Sequence, residues 1–338
     1  MRVATVVELE AMLWTRTDLA QHGWGRAGID GAVSSGELHR LRRGWYMRGA
    51  DWGDLWPQAR HLAQILAAQH DSHEPPVFAR ESAAVLLGLP VLRASVDRVH
   101  IHAGPSRHCT EGVLRHSGPL EPDDIVEVDG ILCTSLIRTI ADVVRLASPE
   151  AAIACADAAM ARVAGGPREY DADAAAGWRE HVEARLRVGQ RGVRQARAVL
   201  SMADGRSELP LESVTKLQLR RLGFAQPSLQ VPVPSPAGGT YWMDMELVEA
   251  DVFYECDGEA KYTDASLRAG RSAEQVVLEE KRREDWVRGL TGKRVIRGGF
   301  ADVVSPSVLA ERLRAFGIPL PPRRDRLLLP SAPSRAAR

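Results

Sequence analysis

The sequence predicts a multidomain chain of mixed α and β structure, α+β in its first half and closer to α/β toward its C-terminal end. Three observations carry this expectation. At 338 residues the chain is longer than one ordinary domain. Helical spacing of apolar residues recurs along it, broken by short stretches that alternate apolar and polar side chains as half-buried strands do. An apolar content of 45% beside 26% charged residues describes a globular composition. Shifts in composition divide the chain into 1–50, 51–165, a connecting helix over 166–204, 205–317 and a tail over 318–338.

Net charge suggests no partner, because Lys+Arg and Asp+Glu both number 44. Local charge has to carry that argument. Cys109, Cys133, Cys155 and Cys256 are scattered and form no C-x-x-C pair, which points to a reduced, cytoplasmic setting and away from a zinc module. The first residues reach Glu8 before a signal-type apolar core can form, and no apolar run approaches the roughly 18 residues of a membrane span.

In the first fifty residues, Thr15-Arg16-Thr17-Asp18-Leu19 opens a helix with a hydroxyl cap and an acid in its first turn, and Gly23 closes it. A second helix runs from Gly25 to Ser35, with Ile29 and Val33 on its inner face. From Glu37 to Arg48 apolar and basic residues alternate about Gly44. Helix, turn, helix and basic hairpin is the order of a winged helix. Four arginines stand against one glutamate between 36 and 48, so Arg40, Arg42, Arg43 and Arg48 are candidate phosphate contacts and Arg26 the candidate base-reading side chain. A winged helix used for protein contacts fits the same residues. The pattern Trp14-Thr15-Arg16, Asp18-Leu19, Gly36-Glu37-Leu38 and Arg42-Arg43-Gly44-Trp45-Tyr46 resembles the N-terminal domain of type IV abortive-infection (AbiEi-type) antitoxins. The resemblance implies a DNA-binding domain and a cognate toxin as possible partner.

In the middle, helices are expected over 56–69, 82–87 and from Thr134-Ser135 to Arg145. A strand is expected over 96–102, and a hairpin over 125–133 with an Asp-Gly turn. His100 and His102 share a strand face near Cys109, but they supply half of a tetrahedral site and no further ligand has recognisable spacing. Phe78 to Leu89 and Cys133 to Asp142 resemble the middle segment of the same antitoxin-like proteins, implying a structural α+β domain. Helices over 149–163 and 178–202 follow, the second rich in arginine, either as a solvated connection or as a DNA-facing stripe.

The C-terminal stretch centres on an acidic run. Asp244, Glu246, Glu249, Asp251, Glu255, Asp257 and Glu259 are seven carboxylates with no basic residue among them. Val248, Val252, Phe253 and Tyr254 suit two short strands turning near Glu249-Ala250-Asp251. A tight hairpin sets Asp244 across from Glu255 or its neighbours, and Glu255 and Asp257, two apart on one strand, share a face, which makes a three-carboxylate cluster if the register puts Asp244 on that face too. Carboxylates packed this closely call for a cation, a proton or strong hydration, and an oxygen-liganded Mg²⁺ or Mn²⁺ suits them better than zinc. A solvated hairpin is the other reading.

Around this run the order is helix (from Pro210), strands, helix (272–290), strand (294–297) and helix (306–315). That order, with Pro210-Leu211-Glu212-Ser213, Asp244, Glu255 to Tyr262 and Glu280 to Asp285, resembles the very-short-patch-repair (Vsr-like) endonucleases of the PD-(D/E)xK class. The resemblance implies a restriction-endonuclease-like core and metal-assisted hydrolysis of a DNA phosphodiester. Asp244 would be the central metal ligand, Glu255 or Asp257 the second, and Glu212 would reach in from the preceding helix. Two positions depart from the family pattern: Met243 stands where it has proline, and Asp257 where it has lysine. Lys261 or Lys281 must then serve in the lysine's place. From 261 to 297 ten basic residues face six acidic ones, a rim suited to holding a nucleic-acid strand. Two functions therefore fit: a metal-dependent endonuclease or nickase, and an antitoxin-like regulator whose nuclease-like domain no longer cuts.

Overall fold

The computed structural model describes residues 4–92, 98–103, 112–257 and 273–322. Cys109, Lys261, Glu259 and the tail from 323 lie outside the described residues. The chain is a mixed α and β protein, with three sheets among the described residues, divided into two compact units, Met1–Ala147 with His181–Gly192 and Ser148–Glu180 with Val193–Arg338. Among the described residues no helix is long and apolar enough to cross a membrane.

The first unit opens with helices whose starts are written in the sequence. Thr5 caps α1 (Val6–Met12) and Thr15 caps α2 (Arg16–Gln21), each in a reciprocal capping box with the acid three residues on, Glu8 and Asp18. Strand β1 (Trp14–Thr15) precedes α2. Helix α3 (Arg26–Ser35) ends at Gly36, whose φ of 82° is the left-handed cap that glycine takes most easily. Strands β2 (Leu38–Arg42) and β3 (Trp45–Arg48) form a hairpin about Gly44, and β1 pairs on its far side, giving the order β1-β3-β2. Leu19, Ile29, Ala32, Leu38 and Tyr46 make the small core beneath.

Helices α4 (Gly49–Asp54), α5 (Pro57–His70) and α6 (Arg80–Leu86) lead to a five-stranded mixed sheet. It contains β4 (Val77–Phe78), β5 (Val99–His102), β6 (Val113–His116), β7 (Ile125–Val128) and β8 (Ile131–Thr134) in the order β6-β5-β4-β8-β7. The β7–β8 hairpin turns on Asp129 and Gly130, both at positive φ, the conformation an Asp-Gly turn supplies. Helix α7 (Leu136–Leu146) follows. Ser135 stands at its N-cap without a side-chain capping bond, and Thr134 instead bonds Thr139 by hydroxyls 2.7 Å apart.

The continuous helix expected over 178–202 is not formed. After α8 (Pro149–Ala164), α9 runs Ala172–Ala184 and α10 runs Val193–Met202, with an irregular segment between them. Gly192 has φ of 83°, and a Cβ there would collide with the Arg145 carbonyl oxygen. The close backbone approach needs glycine, and its left-handed backbone keeps a helix from running unbroken into α10. The 166–204 stretch thus holds two helices, and the compact units part at Ala147, within α9 and at Gly192.

In the second unit α11 (Pro210–Leu222) starts with proline at its first turn, stops at Gly223 and is buried along most of its length. Strands β9 (Ser228–Pro234), β10 (Thr240–Leu247) and β11 (Val252–Cys256) form an antiparallel meander, with β9 at the edge where its prolines leave no ladder donor missing. Helix α12 (Ala273–Thr291) carries the chain to β12 (Arg294–Gly298), parallel to β11, and α13 (Pro306–Ala315) follows. Val233, Met243, Phe253 and Val287 form a core between sheet and α12.

Candidate functional site

The fold gives the carboxylates of the acidic run different partners. Lys293 binds both Glu246 and Asp251, the latter at 3.3 Å. Glu249 accepts from the Ala225 amide at 2.5 Å. Asp251 itself takes φ of 52° at the turn between β10 and β11, a conformation short acidic side chains tolerate. These three residues stabilise the hairpin.

Asp244 and Glu255 behave differently. The register Met245↔Tyr254 continues to set Asp244 across from Glu255. The Asp244 amide donates to Glu255 Oε1 at 3.3 Å, and Asp244 Oδ2 accepts from the Cys256 amide at 2.7 Å. Glu212 approaches from α11, where it is 2% exposed. Its Oε2 accepts from the Glu208 amide at 2.9 Å. Burial first, and then the charge of Asp244, push the Glu212 carboxyl up to about 8. The same two causes push Glu255 up to about 7, against the pull of Arg283. Cys256 lies among all three: burial raises its thiol well above the usual range, Asp244, Glu212 and Glu255 add to the rise, and its Sγ contacts Thr215 Oγ1 at 3.5 Å. Thr215 is one helical turn beyond Glu212, so α11 presents both to the same strand end.

The remaining residues expected at this site are placed as follows. Strand β11 ends at Cys256, so Asp257 lies one residue past it, half-buried, its amide donating to the Gly298 carbonyl at 2.9 Å. Lys281 is exposed on α12. Arg283 was not among the expected residues. Its Nη2 donates to the Trp242 carbonyl at 2.6 Å and stands 3.5 Å from Glu255 Oε1. The available signal was helical spacing, since Arg283 lies four residues before the fully buried Val287 and so shares its inward face. Arg297 on β12 joins Glu280 at 3.2 Å and Glu284 at 3.5 Å, tying α12 to the sheet. Among the described residues no three His, Cys, Asp or Glu side chains already stand in a metal-ligating arrangement.

In the first unit Arg26 at the start of α3, Arg43 in the turn between β2 and β3, and Arg40 and Arg48 on those strands are exposed. Arg42 is half-buried, and its Nη2 pairs with Asp71 at 2.8 Å. His100 and His102 do not converge on one ligand: His100 Nδ1 meets His116 Nε2 at 2.9 Å, while His102 Nε2 meets the Gly118 carbonyl at 3.0 Å.

No family model matches the chain, and no curated protein does. Among solved structures it is similar to the RV2827C protein from Mycobacterium tuberculosis, at 15% identity and a TM-score of 0.33, over 70% of this chain and 90% of that one.

Proposed function

We propose that the chain is a DNA-binding protein whose second unit hydrolyses phosphodiesters with Mg²⁺ or Mn²⁺ at a PD-(D/E)xK-like, Vsr-like site, and whose first fifty residues form an antitoxin-like winged helix that holds DNA. One observation supports the reading: Glu212 on α11 and Glu255 on β11 both lie within the field of Asp244 on β10, which with burial raises them, so that a cation would have to draw the three together from an arrangement that is not yet ligating. Like charges held this close favour protonation, and a bound divalent cation would favour the charged forms instead. The donor set is all carboxylate, the chemistry hard cations prefer.

Asp244, Glu255 and Glu212 would hold the ion, with Asp257 at the strand end beside them. The ion would supply a polarised phosphoryl oxygen and an acidified water. Arg283, Arg297 and exposed Lys281 lie on the elements flanking the carboxylates and are the cations suited to hold the phosphate strand. Arg26, Arg40, Arg43 and Arg48 would contact DNA through the hairpin and the helix before it.

A second reading is an antitoxin-like regulator with a silent nuclease-like domain that acts with a cognate toxin. It is favoured by Arg283, which already faces Glu255 where the first reading wants a metal. One experiment separates the two. Purified full chain is incubated with supercoiled plasmid and with mismatched and single-stranded DNA in Mg²⁺ or Mn²⁺, beside Asp244→Asn and a gel-shift lane. Nicking by wild type, and its loss of at least roughly a hundredfold in the folded variant, is expected. Retention of DNA in the gel without cutting of any substrate sinks the hydrolase reading and leaves the regulator.

A further inference from the structure

The first unit contains a cavity of about 450 Å³ lined wholly by its own residues. Arginine dominates its wall. Among the described lining residues Arg80, Arg138, Arg145, Arg185, Arg187 and Arg191 stand against Glu121, Asp124 and Asp142. The acids are already engaged. Asp142 accepts from Arg138 at 2.9 Å and Arg145 at 2.6 Å, while Asp124, 1% exposed, pairs with Arg138 at 3.2 Å and Arg185 at 2.6 Å. Asp124 and Asp142 thus fix three guanidinium groups between them, sharing Arg138. Six cations against three anions leave an excess of three positive charges around a concave space.

Arg80 is the centre of that excess. It takes φ of 54°, a left-handed backbone that a non-glycine residue adopts at a cost and that tends to mark ligand clamps. Burial first, together with the like charges of Arg145 and Arg191, depresses its guanidinium against the pull of Asp142 and Glu81. Burial and Arg80 also push His100 and His116 down to about 4, so near neutral pH these rings hydrogen-bond without adding charge. The positive field belongs to arginine, whose planar fork matches phosphoryl oxygens in pairs.

We propose that this cavity binds a small diphosphate-bearing anion, such as pyrophosphate or a nucleoside diphosphate, with Arg80, Arg145 and Arg191 receiving its phosphoryl oxygens. The volume is that of a small-molecule site, whereas the lining is far more charged than such sites usually are. A diphosphate group, at about −3 near neutral pH, matches the excess charge. This site does not depend on the phosphodiesterase reading, which concerns the second unit.

The test is calorimetric titration of the full chain with pyrophosphate, beside sulfate at matched ionic strength and a short duplex with or without a 5′-phosphate. Saturable pyrophosphate binding beyond that of sulfate is expected. It should weaken roughly tenfold or more in Arg80→Met and in Arg191→Glu. Arg191 is exposed, so its variant keeps the measurement valid if Arg80→Met fails to fold. Pyrophosphate binding no stronger than sulfate's, unchanged affinity in Arg191→Glu, or binding confined to the 5′-phosphorylated duplex would each overturn the proposal.

Discussion

Helix α11 carries two kinds of buried charge, and they differ in what balances them. Lys216 is fully buried, its Nζ 2.7 Å from Asp157 Oδ2 and 3.4 Å from Ser207 Oγ. Arg221, on the same helix, meets Glu150 at 2.5 Å and the Gln218 side chain at 3.1 Å. Both cations have carboxylate partners on α8. Glu212, at the N-terminal end of the same helix, faces Asp244, which shares its sign. A buried pair is held by its own complementarity, while a buried like-charge cluster persists because the packing around it forces the groups together. The first arrangement serves the fold; the second is the kind of strain that binding sites use.

The largest effect should come from breaking the balanced side. Lys216→Met removes the only charge that Asp157 contacts in the pair and strands a carboxylate that is 1% exposed. The expected loss is about 3–5 kcal/mol, read as a fall in the urea midpoint. A companion variant, Lys216→Met with Asp157→Leu, should recover most of it, because desolvation of the orphaned acid disappears along with the pair. If the double variant is as unstable as the single one, packing and not charge balance holds α8 to α11.

A smaller and oppositely signed effect should come from the unbalanced side. The Glu212 carboxyl titrates near 4.5 unfolded and at about 8 folded. Between those values the folded chain binds the extra proton. Stability is therefore fully present below 4.5 and is lost as pH rises through about 8. Glu255 acts in the same direction up to about 7. Glu212→Gln should remove its share of this slope and leave the part due to Glu255. Mg²⁺ should raise the wild-type melting temperature most at the alkaline end, where the carboxylates are charged. Melts across this pH range, with and without Mg²⁺, check both points; a Glu212→Gln slope equal to wild type removes Glu212 from the cluster.

The same contrast explains what was readable in the sequence. Helix caps such as Thr15 with Asp18, the stops at Gly36 and Gly223, the Asp-Gly turn at 129–130 and the alignment of Asp244 with Glu255 are local, so residue type and spacing carry them. Asp124 meeting Arg185, Lys216 meeting Asp157 and Arg283 meeting Glu255 join residues far apart in sequence. No period along the chain records such pairs. The break between α9 and α10 lies between these cases: Gly189 and Gly192 were visible punctuation, but Arg185, Arg187, Arg191 and Arg194 continued a solvated-helix pattern across them. What decided the matter was the Arg145 carbonyl beside Gly192, a contact that has no local signature.

The smallest effect sets the scale against which the other two are judged. Arg288, on α12, is 55% exposed and reaches Glu284 at 3.6 Å and Asp285 at 4.0 Å. In water these pairs gain little Coulomb energy and immobilise long side chains. Glu284 also keeps Arg297 at 3.5 Å when Arg288 is removed, so no carboxylate is stranded. Arg288→Ala should therefore cost no more than about 0.5 kcal/mol, and that small cost should shrink further in high salt. Urea midpoints at low and high ionic strength measure it. A loss approaching that of Lys216→Met would mean that partner identity, and not burial, sets the worth of charge in this unit, and the contrast drawn along α11 would fail.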